Sequence, residues 1–206
     1  MDVREWIIGG GGEPMFRGEL VMDMCKKIRA LEMNGVVQSN GTLFKDEDLE
    51  TFVRIGWDNL SISIDGPDAE TNDTIRWRNS FDKMVTAIKK LNEYKRHYKA
   101  DRPTINVACV VTSMNCDRIE YLVKMCDDLE IDGLTVNELY VHHEGMDQYV
   151  MSKEQMAALP AAARRAEETA RRLDVPTNIP TFLETLGTCE TRELPAAMPE
   201  HADDIS

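Results

Sequence analysis

The sequence predicts an α/β protein in which parallel strands alternate with amphipathic helices, and three observations support this. Short apolar runs recur five times along residues 5–141, each run ends in a polar or glycine-bearing stop, and helices of 3.6-residue period lie between the runs. Because neighbouring parallel strands need a crossover, this alternation indicates βαβ units. Periodicity leaves a barrel and a doubly wound sheet equally open. In both architectures ligands bind at the carboxyl ends of the strands.

Two strand and helix pairs make up the first part of the chain. The predicted strands cover residues 5–9 and 35–39, and they end in the turn-forming stops GGGGEP and SNGT. Helices are predicted over residues 19–32 and 46–55 from their 3.6-residue apolar spacing. Their expected buried positions are Leu20, Met24, Ile28 and Leu31 in the first helix, then Leu49, Phe52 and Val53 in the second.

Three further strands are predicted over residues 59–64, 104–112 and 133–141. The first of these alternates cleanly and stops at the sequence DGP. Ser80 resembles the N-cap of the helix that follows it, because a hydroxyl there can accept an unpaired helical N–H. The expected buried helix positions are Phe81, Met84, Val85, Ile88 and Leu91, then Ile119, Leu122, Val123 and Cys126.

The pattern changes from about Met151 onwards. The stretch from Ser152 to Gln155 has the form of a capping box that opens a helix, which Pro160 is expected to interrupt or kink. The proline-bearing residues that follow this helix are predicted to be loosely ordered or to begin a further module. We therefore predict two regions, the region of alternating strands and helices over residues 1–150 and a C-terminal helix with its tail over residues 151–206.

Composition limits the classes of partner. The chain has 206 residues, with 37 acidic against 24 basic side chains and a formal net charge of −13. This acidity argues against a nucleic-acid partner or an anionic membrane surface, because phosphate contacts need basic side chains. No apolar run approaches the roughly 20 residues that span a bilayer, and the N-terminus lacks the layout of a secretory signal. We expect a cytoplasmic protein.

Glycines directly after the first strand provide the strongest local signal. Residues 9–12 are all glycine, and Glu13 and Pro14 follow them. Glycines at a strand end adopt positive φ and let the backbone approach a ligand closely. The run is not a Walker loop, which needs a Lys-Ser/Thr pair, and it is not GxGxxG because Glu13 follows at once.

Five motifs in register resemble the radical SAM superfamily, whose members use S-adenosylmethionine (SAM). GGGGEP, SNGT and SIDGP follow the first three strands, an arginine lies within NDTIRWRNSF, and VVTSMN follows the fourth strand. The resemblance covers residues 3 to 141. It implies a partial (β/α)6 barrel that holds SAM against a [4Fe–4S] cluster. In such enzymes the cluster reductively cleaves SAM, and the resulting 5′-deoxyadenosyl radical abstracts a substrate hydrogen.

The resemblance also implies a set of cofactor-binding residues. Glu13, with the glycines before it, would meet the methionine amino group of SAM. Ser63 and Arg76 would face its ribose and carboxylate, and Arg78 is the alternative arginine. Asp65 is equally well interpreted as a turn former. The complete set is Gly11, Gly12, Glu13, Ser39, Asn40, Ser63, Arg76 and Asn115.

The cysteines depart from the family pattern. The superfamily holds its cluster with a C-x3-C-x2-C loop after the first barrel strand, and none of Cys25, Cys109, Cys116, Cys126 and Cys189 has this spacing. Since a cluster needs thiolate ligands, the chain as written is not expected to build the site or to perform the radical chemistry alone. We favour a fragment that lacks the first strand, the cluster loop and the first helix. The alternative is a degenerate homologue that binds SAM, or nothing, and acts as a scaffold.

Single residues, rather than motifs, indicate the substrate and further partners. Cys189 is a candidate ligand of an auxiliary cluster in a SPASM-type module, which would imply a peptide or protein substrate and a reducing electron donor. At most one of His142 and His143 is expected to face the substrate, because neighbours on a strand point to opposite faces. An unrelated barrel lyase would need a Schiff-base lysine, and only Lys45 lies near a strand end.

Overall fold

The computed structural model describes residues 3–76, 79–141 and 145–188. Its five strands form one sheet in which every neighbouring pair is parallel. They are β1 (Glu5–Ile8), β2 (Asn34–Ser39), β3 (Asn59–Ser63), β4 (Thr104–Val110) and β5 (Gly133–Asn137). All five predicted strands are confirmed, although β5 ends four residues earlier than we predicted.

The strand order decides between the two architectures that periodicity left open. The order is β1-β2-β3-β4-β5, so each strand is added on the same side as the one before it. A doubly wound sheet reverses its order at a switch point, and this sheet does not. Right-handed crossovers without a reversal place the helices on one face and curl the sheet into part of a barrel. The predicted α/β partial barrel is therefore confirmed.

The described part of the chain contains seven α-helices besides this sheet. They are α1 (Gly18–Ala30), α2 (Asp46–Arg54), α3 (Ala69–Ile75), α4 (Phe81–Tyr98), α5 (Ile119–Asp128), α6 (Lys153–Leu173) and α7 (Ile179–Thr188). Short 3₁₀ turns cover Pro14–Arg17 and Asp147–Tyr149. The predicted buried faces of α2 and α5 are confirmed. Among the described residues, no helix is both long and apolar enough to cross a membrane.

The buried face of α1 differs from the prediction. Leu20 and Leu31 are 57% and 68% exposed, whereas Val21 and Cys25 lie in the core beside Ile28. The helix carries two apolar stripes, and its packing against β2 and the preceding 3₁₀ turn selects the second. Periodicity shows that stripes exist but does not choose between them.

Ser80 precedes α4 as predicted, but its hydroxyl does not cap that helix. The hydroxyl donates to Asp73 Oδ1 over 2.8 Å and accepts from Asn72 Nδ2 over 3.0 Å. The carboxylate of Asp73 accepts the first helical N–H, from Phe81, over 2.9 Å and also the N–H of Asn79. Partial burial raises the pKa of Asp73, but these hydrogen bonds outweigh it and lower the pKa below its usual value.

Pro160 lies inside α6, which runs without interruption from Lys153 to Leu173. Of the two predicted effects, the interruption is therefore wrong, and a kink at Pro160 stays a prediction. A proline in a helix costs about 3 kcal/mol because one backbone hydrogen bond is lost. Ala163, Ala166 and Ala170 of α6 are buried, and α6 packs against α5 and α7. We infer that this packing offsets the cost.

The stretch after α6 contacts the sheet as far as the structure describes it, and whether it begins a further module stays a prediction. Thr177 forms a parallel bridge with Leu134 of β5. The side chain of Asn178 accepts the N–H of Val136 over 2.7 Å and donates to its carbonyl over 2.9 Å. Phe182 of α7 is buried in the same core. The division at residue 150 stays a prediction.

The outer edge of β1 has no partner strand among the described residues. Trp6 is 41% exposed and Ile7 is 60% exposed, although the two side chains point to opposite faces of the sheet. An apolar edge strand of this kind is a template for pairing with a further strand.

Candidate functional site

A cavity of about 700 Å³ lies beyond the carboxyl ends of β2 and β3. Two of the predicted residues, Asn40 and Arg76, border it. Phe16 and Tyr149 add aromatic rings, and Lys83 adds a second cation. Such a lining suits a ligand with both a flat ring and an anionic group.

Tyr149 reaches this cavity through contacts that the sequence did not reveal. Ser113, just after β4, donates its N–H to the carbonyl of Tyr149 over 2.9 Å and its hydroxyl to the carbonyl of Gln148 over 2.6 Å. The carbonyl of Ser113 in turn accepts from Gln155 Nε2 over 2.7 Å. The 3₁₀ turn Asp147–Tyr149 is thereby attached to the carboxyl edge of the sheet.

The glycine run after β1 takes a conformation that glycine favours. Gly10, Gly11 and Gly12 have φ values of 81°, 67° and 134°, and all three are exposed. A Cβ at any of them would meet no neighbouring atom within 4 Å. Backbone conformation therefore explains these glycines, and lack of space does not.

Glu13 joins the loops that follow β1 and β2. Its Oε1 accepts from the Ser39 hydroxyl over 2.7 Å and from the Met15 N–H over 3.0 Å. Its Oε2 accepts from the Asn40 N–H over 2.7 Å. A carboxylate has about four lone-pair positions, so one remains for a ligand ammonium group. Three of the predicted residues are thus brought into direct contact.

Ser39 and Asn40 form a tight turn around this carboxylate. The Ser39 hydroxyl also accepts the Gly41 N–H over 3.0 Å. Asn40 Oδ1 accepts the N–H of Thr42 over 2.9 Å and its hydroxyl over 2.7 Å. The predicted Ser39 therefore shapes the loop, whereas Asn40 both shapes it and borders the cavity.

Arg76 pairs with Asp65 at the end of β3. Arg76 Nε lies 2.7 Å from Asp65 Oδ2, and the two side chains are 23% and 6% exposed. Sequence reasoning left Asp65 undecided as a turn former, and the structure shows that its carboxylate is buried beside the predicted arginine. Aspartate at a strand end with an arginine downstream is the signal that would have found it.

The last two predicted residues lie on either side of this pair. Ser63 is half-buried at the end of β3, level with Ala108 of β4. Asn115 is fully buried, and its amide donates to the carbonyls of Asp65 and Val110 over 2.8 and 2.9 Å. Its oxygen accepts the Thr112 N–H, so both ends of the Asn115 amide are used within the protein.

Four residues that the sequence singled out lie outside the described part of the chain. They are Arg78, His142, His143 and Cys189.

The described cysteines do not fit an iron–sulfur cluster. Cys25, Cys109 and Cys126 are completely buried and Cys116 is nearly so. Burial raises the pKa of the Cys25 and Cys126 thiols to about 12 and also raises the pKa of the other two. Within the described ranges, no three His, Cys, Asp or Glu side chains are grouped to hold a metal ion. A cluster needs several thiolates that lie together, and the described thiols are buried and not grouped.

We expect these four thiols to resist alkylation in the folded chain. Iodoacetamide should leave them unmodified at mildly alkaline pH and label all of them in denaturant, as read by peptide mass spectrometry. Because the pKa values are higher in the folded state, their contribution to stability is complete below the ordinary thiol pKa. It is lost as the pH rises towards about 12. Rapid native labelling of Cys25 or Cys126 would contradict the buried assignment.

Comparisons with known proteins show the family to which this chain belongs. Residues 2–126 match the family model of the Radical SAM superfamily. Pre-heme d1 synthase of Dinoroseobacter shibae is 29% identical over 133 residues, 65% of this chain and 31% of that protein. The sporulation killing factor maturation protein SkfB of Bacillus subtilis is 33% identical over 125 residues, 60% of this chain and 28% of that protein. The chain thus spans about a third of the length of these curated relatives.

A solved structure shares the fold. Native anSMEcpe with bound AdoMet (SAM) and the Cp18Cys peptide superposes with a TM-score of 0.67 at 16% identity, over 84% of this chain and 50% of that chain. At this identity the likeness shows the fold alone. The family model, by contrast, matches more than half of the chain. The chain therefore belongs to the radical SAM superfamily, whose members are enzymes that use SAM and a [4Fe–4S] cluster.

Proposed function

We propose that this chain binds SAM at the carboxyl edge of its sheet and forms the SAM-binding part of an enzyme that modifies a peptide or protein. The observation that carries the proposal is the cavity beyond β2 and β3, in which Arg76 and Asn40 meet aromatic side chains. The guanidinium would hold the methionine carboxylate by charge-assisted hydrogen bonds. The aromatic rings would stack on the adenine, because flat rings favour offset stacking.

The loop after β1 supplies the other half of the proposed SAM site. Glu13 is fixed by three hydrogen bonds and keeps one lone-pair position for the methionine ammonium group. The exposed backbone of Gly11 and Gly12 leaves room for the ligand to approach. This chain's own residues therefore bind and orient SAM from two sides.

The described residues offer a site for SAM but no ligands for the iron–sulfur cluster. When bound, such a cluster supplies the electron that starts the radical chemistry, but the described cysteines are buried and ungrouped. We place its ligands outside the described residues. The open edge of β1, with Trp6 and Ile7 exposed, is the surface on which a further strand that carries thiolates would pair. An external reductant would deliver the electron.

The choice of a peptide or protein substrate is supported by the proteins that this chain resembles. SkfB is named a maturation protein for sporulation killing factor, and the anSMEcpe structure holds a peptide beside AdoMet. The rival proposal is a homologue that binds SAM without catalysis, or binds nothing. Measurements of SAM binding to the chain distinguish a homologue that binds SAM from one that binds nothing.

Calorimetric titration of the 206-residue chain tests the proposed site. We expect SAM to bind, and 5′-methylthioadenosine, which lacks the amino-acid group, to bind more weakly. Arg76→Ala should lower the affinity for SAM by about 10- to 100-fold, because one charge-assisted pair is lost. Its effect on methylthioadenosine should be small.

Arg54→Ala is the matched control, since Arg54 is an exposed arginine at the end of α2. It should leave both affinities unchanged. If the folded wild-type chain binds neither ligand, the proposed function is wrong. If Arg76→Ala and Arg54→Ala behave alike, the assignment of the carboxylate site is wrong.

A further inference from the structure

A buried carboxylate lies directly behind the arginine that borders the cavity. Asp65 is far less exposed than Arg76, and the pair is joined at Oδ2 and Nε over 2.7 Å. Arg76 Nε is buried, and its N–H is not aligned on an acceptor among the described residues, so charge rather than a well-aligned hydrogen bond holds the pair. The guanidinium therefore has one side on Asp65 and another on the cavity.

Asp65 is itself fixed from three parts of the fold. Its Oδ1 accepts the Val110 N–H at the end of β4 over 2.8 Å. Its own N–H donates to Asn72 Oδ1 of α3 over 3.0 Å, and its carbonyl accepts from Asn115 Nδ2 over 2.8 Å. Each of these contacts leaves Oδ2 available to Arg76. The position of the guanidinium is thus set by β4, α3 and the loop after β4.

The other carboxylate nearby is already used. Asp73 lies on α3, three residues before Arg76 in the chain, and its oxygens accept from Asn79, Ser80 and Phe81. Asp65 is therefore the carboxylate that orients the arginine within the described residues. Without it, a long arginine side chain would have to lose its rotamer freedom when the ligand arrives, which weakens binding.

We propose, on the basis of the proposed SAM site, that Asp65 is a positioning residue that holds the Arg76 guanidinium ready for the carboxylate of SAM. The competing explanation is a purely structural ion pair, in which Arg76 only neutralises a buried charge. The two explanations predict different effects on ligand affinity when Asp65 is replaced. A positioning role affects ligands that carry a carboxylate, whereas a structural role affects every ligand or none.

Asp65→Asn separates these explanations. The new amide still offers Val110 an oxygen, but its NH₂ group faces the arginine and removes the attraction. SAM affinity should fall about tenfold, whereas the affinity for 5′-methylthioadenosine should stay unchanged. In an Arg76→Ala background, Asp65→Asn should have no further effect on SAM binding, because Asp65 acts through the arginine.

Asp68→Asn is the matched control. Asp68 caps α3 by accepting the Thr71 N–H over 2.8 Å, and asparagine caps a helix about as well as aspartate. This variant should keep both affinities. Circular dichroism and thermal melting establish that each variant is folded before it is titrated.

Several outcomes would overturn the inference. The inference is wrong if Asp65→Asn weakens SAM and methylthioadenosine binding equally, or if it leaves SAM binding unchanged or tighter. It is also wrong if the effects of Asp65→Asn and Arg76→Ala are additive. Should Asp65→Asn not fold, Asp65→Ser keeps an acceptor for Val110 and is titrated instead. If neither variant folds, Asp65 serves the fold alone. A wild-type chain that binds neither ligand refutes the proposed function, whereas intact wild-type binding with a silent Asp65→Asn refutes only this inference.

Discussion

Gly66→Ala should destabilise the chain by about 3 kcal/mol and abolish SAM binding. A Cβ on Gly66 would lie 2.4 Å from the backbone nitrogen of Asn72 and 2.8 Å from its Cα. These are backbone atoms of α3, so no flexible side chain can move away. Relief of the clash must shift α3 and, with it, the contacts of Asn72 with Asp65 and of Asp65 with Arg76. Urea denaturation measures the first effect and calorimetric titration the second.

Gly18→Ala is the control for this substitution. Gly18 lies in the first turn of α1, where the nearest atom to an added Cβ is the Met15 Cε, at an ordinary 3.5 Å. Because alanine is the better helix former, this variant should be neutral or more stable by up to about 1 kcal/mol. If both variants had the same stability, the close packing of the SIDGP segment on α3 would be refuted.

Glu13→Gln should cost about 2 to 3 kcal/mol of stability and weaken SAM binding at least tenfold. The carboxylate accepts hydrogen bonds on both oxygens, from Met15 and Ser39 on one and from Asn40 on the other. An amide has one oxygen, so one side must place its NH₂ group against an N–H or O–H donor. A donor left without an acceptor carries its full desolvation cost. The loops after β1 and β2 would then separate.

Glu19→Gln is the matched control, because Glu19 is exposed in the first turn of α1. It should change stability by no more than about 0.5 kcal/mol and leave ligand binding intact. Both variants are measured by urea denaturation and by SAM titration. A Glu13→Gln chain as stable as wild type would mean that the loop after β1 is held by other contacts.

Much of the fold was predictable because its signals are local. Short apolar runs that end in turn-forming stops identified all five strands, and the 3.6-residue period identified α1, α2, α4 and α5. The prediction was wrong where a choice depended on distant residues. Which stripe of α1 is buried depends on β2, and whether α6 continues through Pro160 depends on its packing against α5.

The candidate site shows the same division. The motifs predicted that Asn40 and Arg76 face the ligand, and both border the cavity. They did not reveal that Asp65 lies behind the arginine, or that Ser113 attaches the turn that contains Tyr149. These contacts join residues that are far apart in the chain, and they depend on the register of neighbouring strands.

By itself, the sequence determined the alternation of strands and helices, the glycine run, the family motifs and the lack of a cluster-binding cysteine pattern. Each of these is a property of adjacent residues. The tertiary structure alone decided the contacts of Glu13 with Ser39 and the burial of Asp65 beneath Arg76. The contact between Asp65 and Val110 spans 45 residues. Such a pair forms only when β3 and β4 align in one register, because a shift by one residue would turn each side chain to the other face.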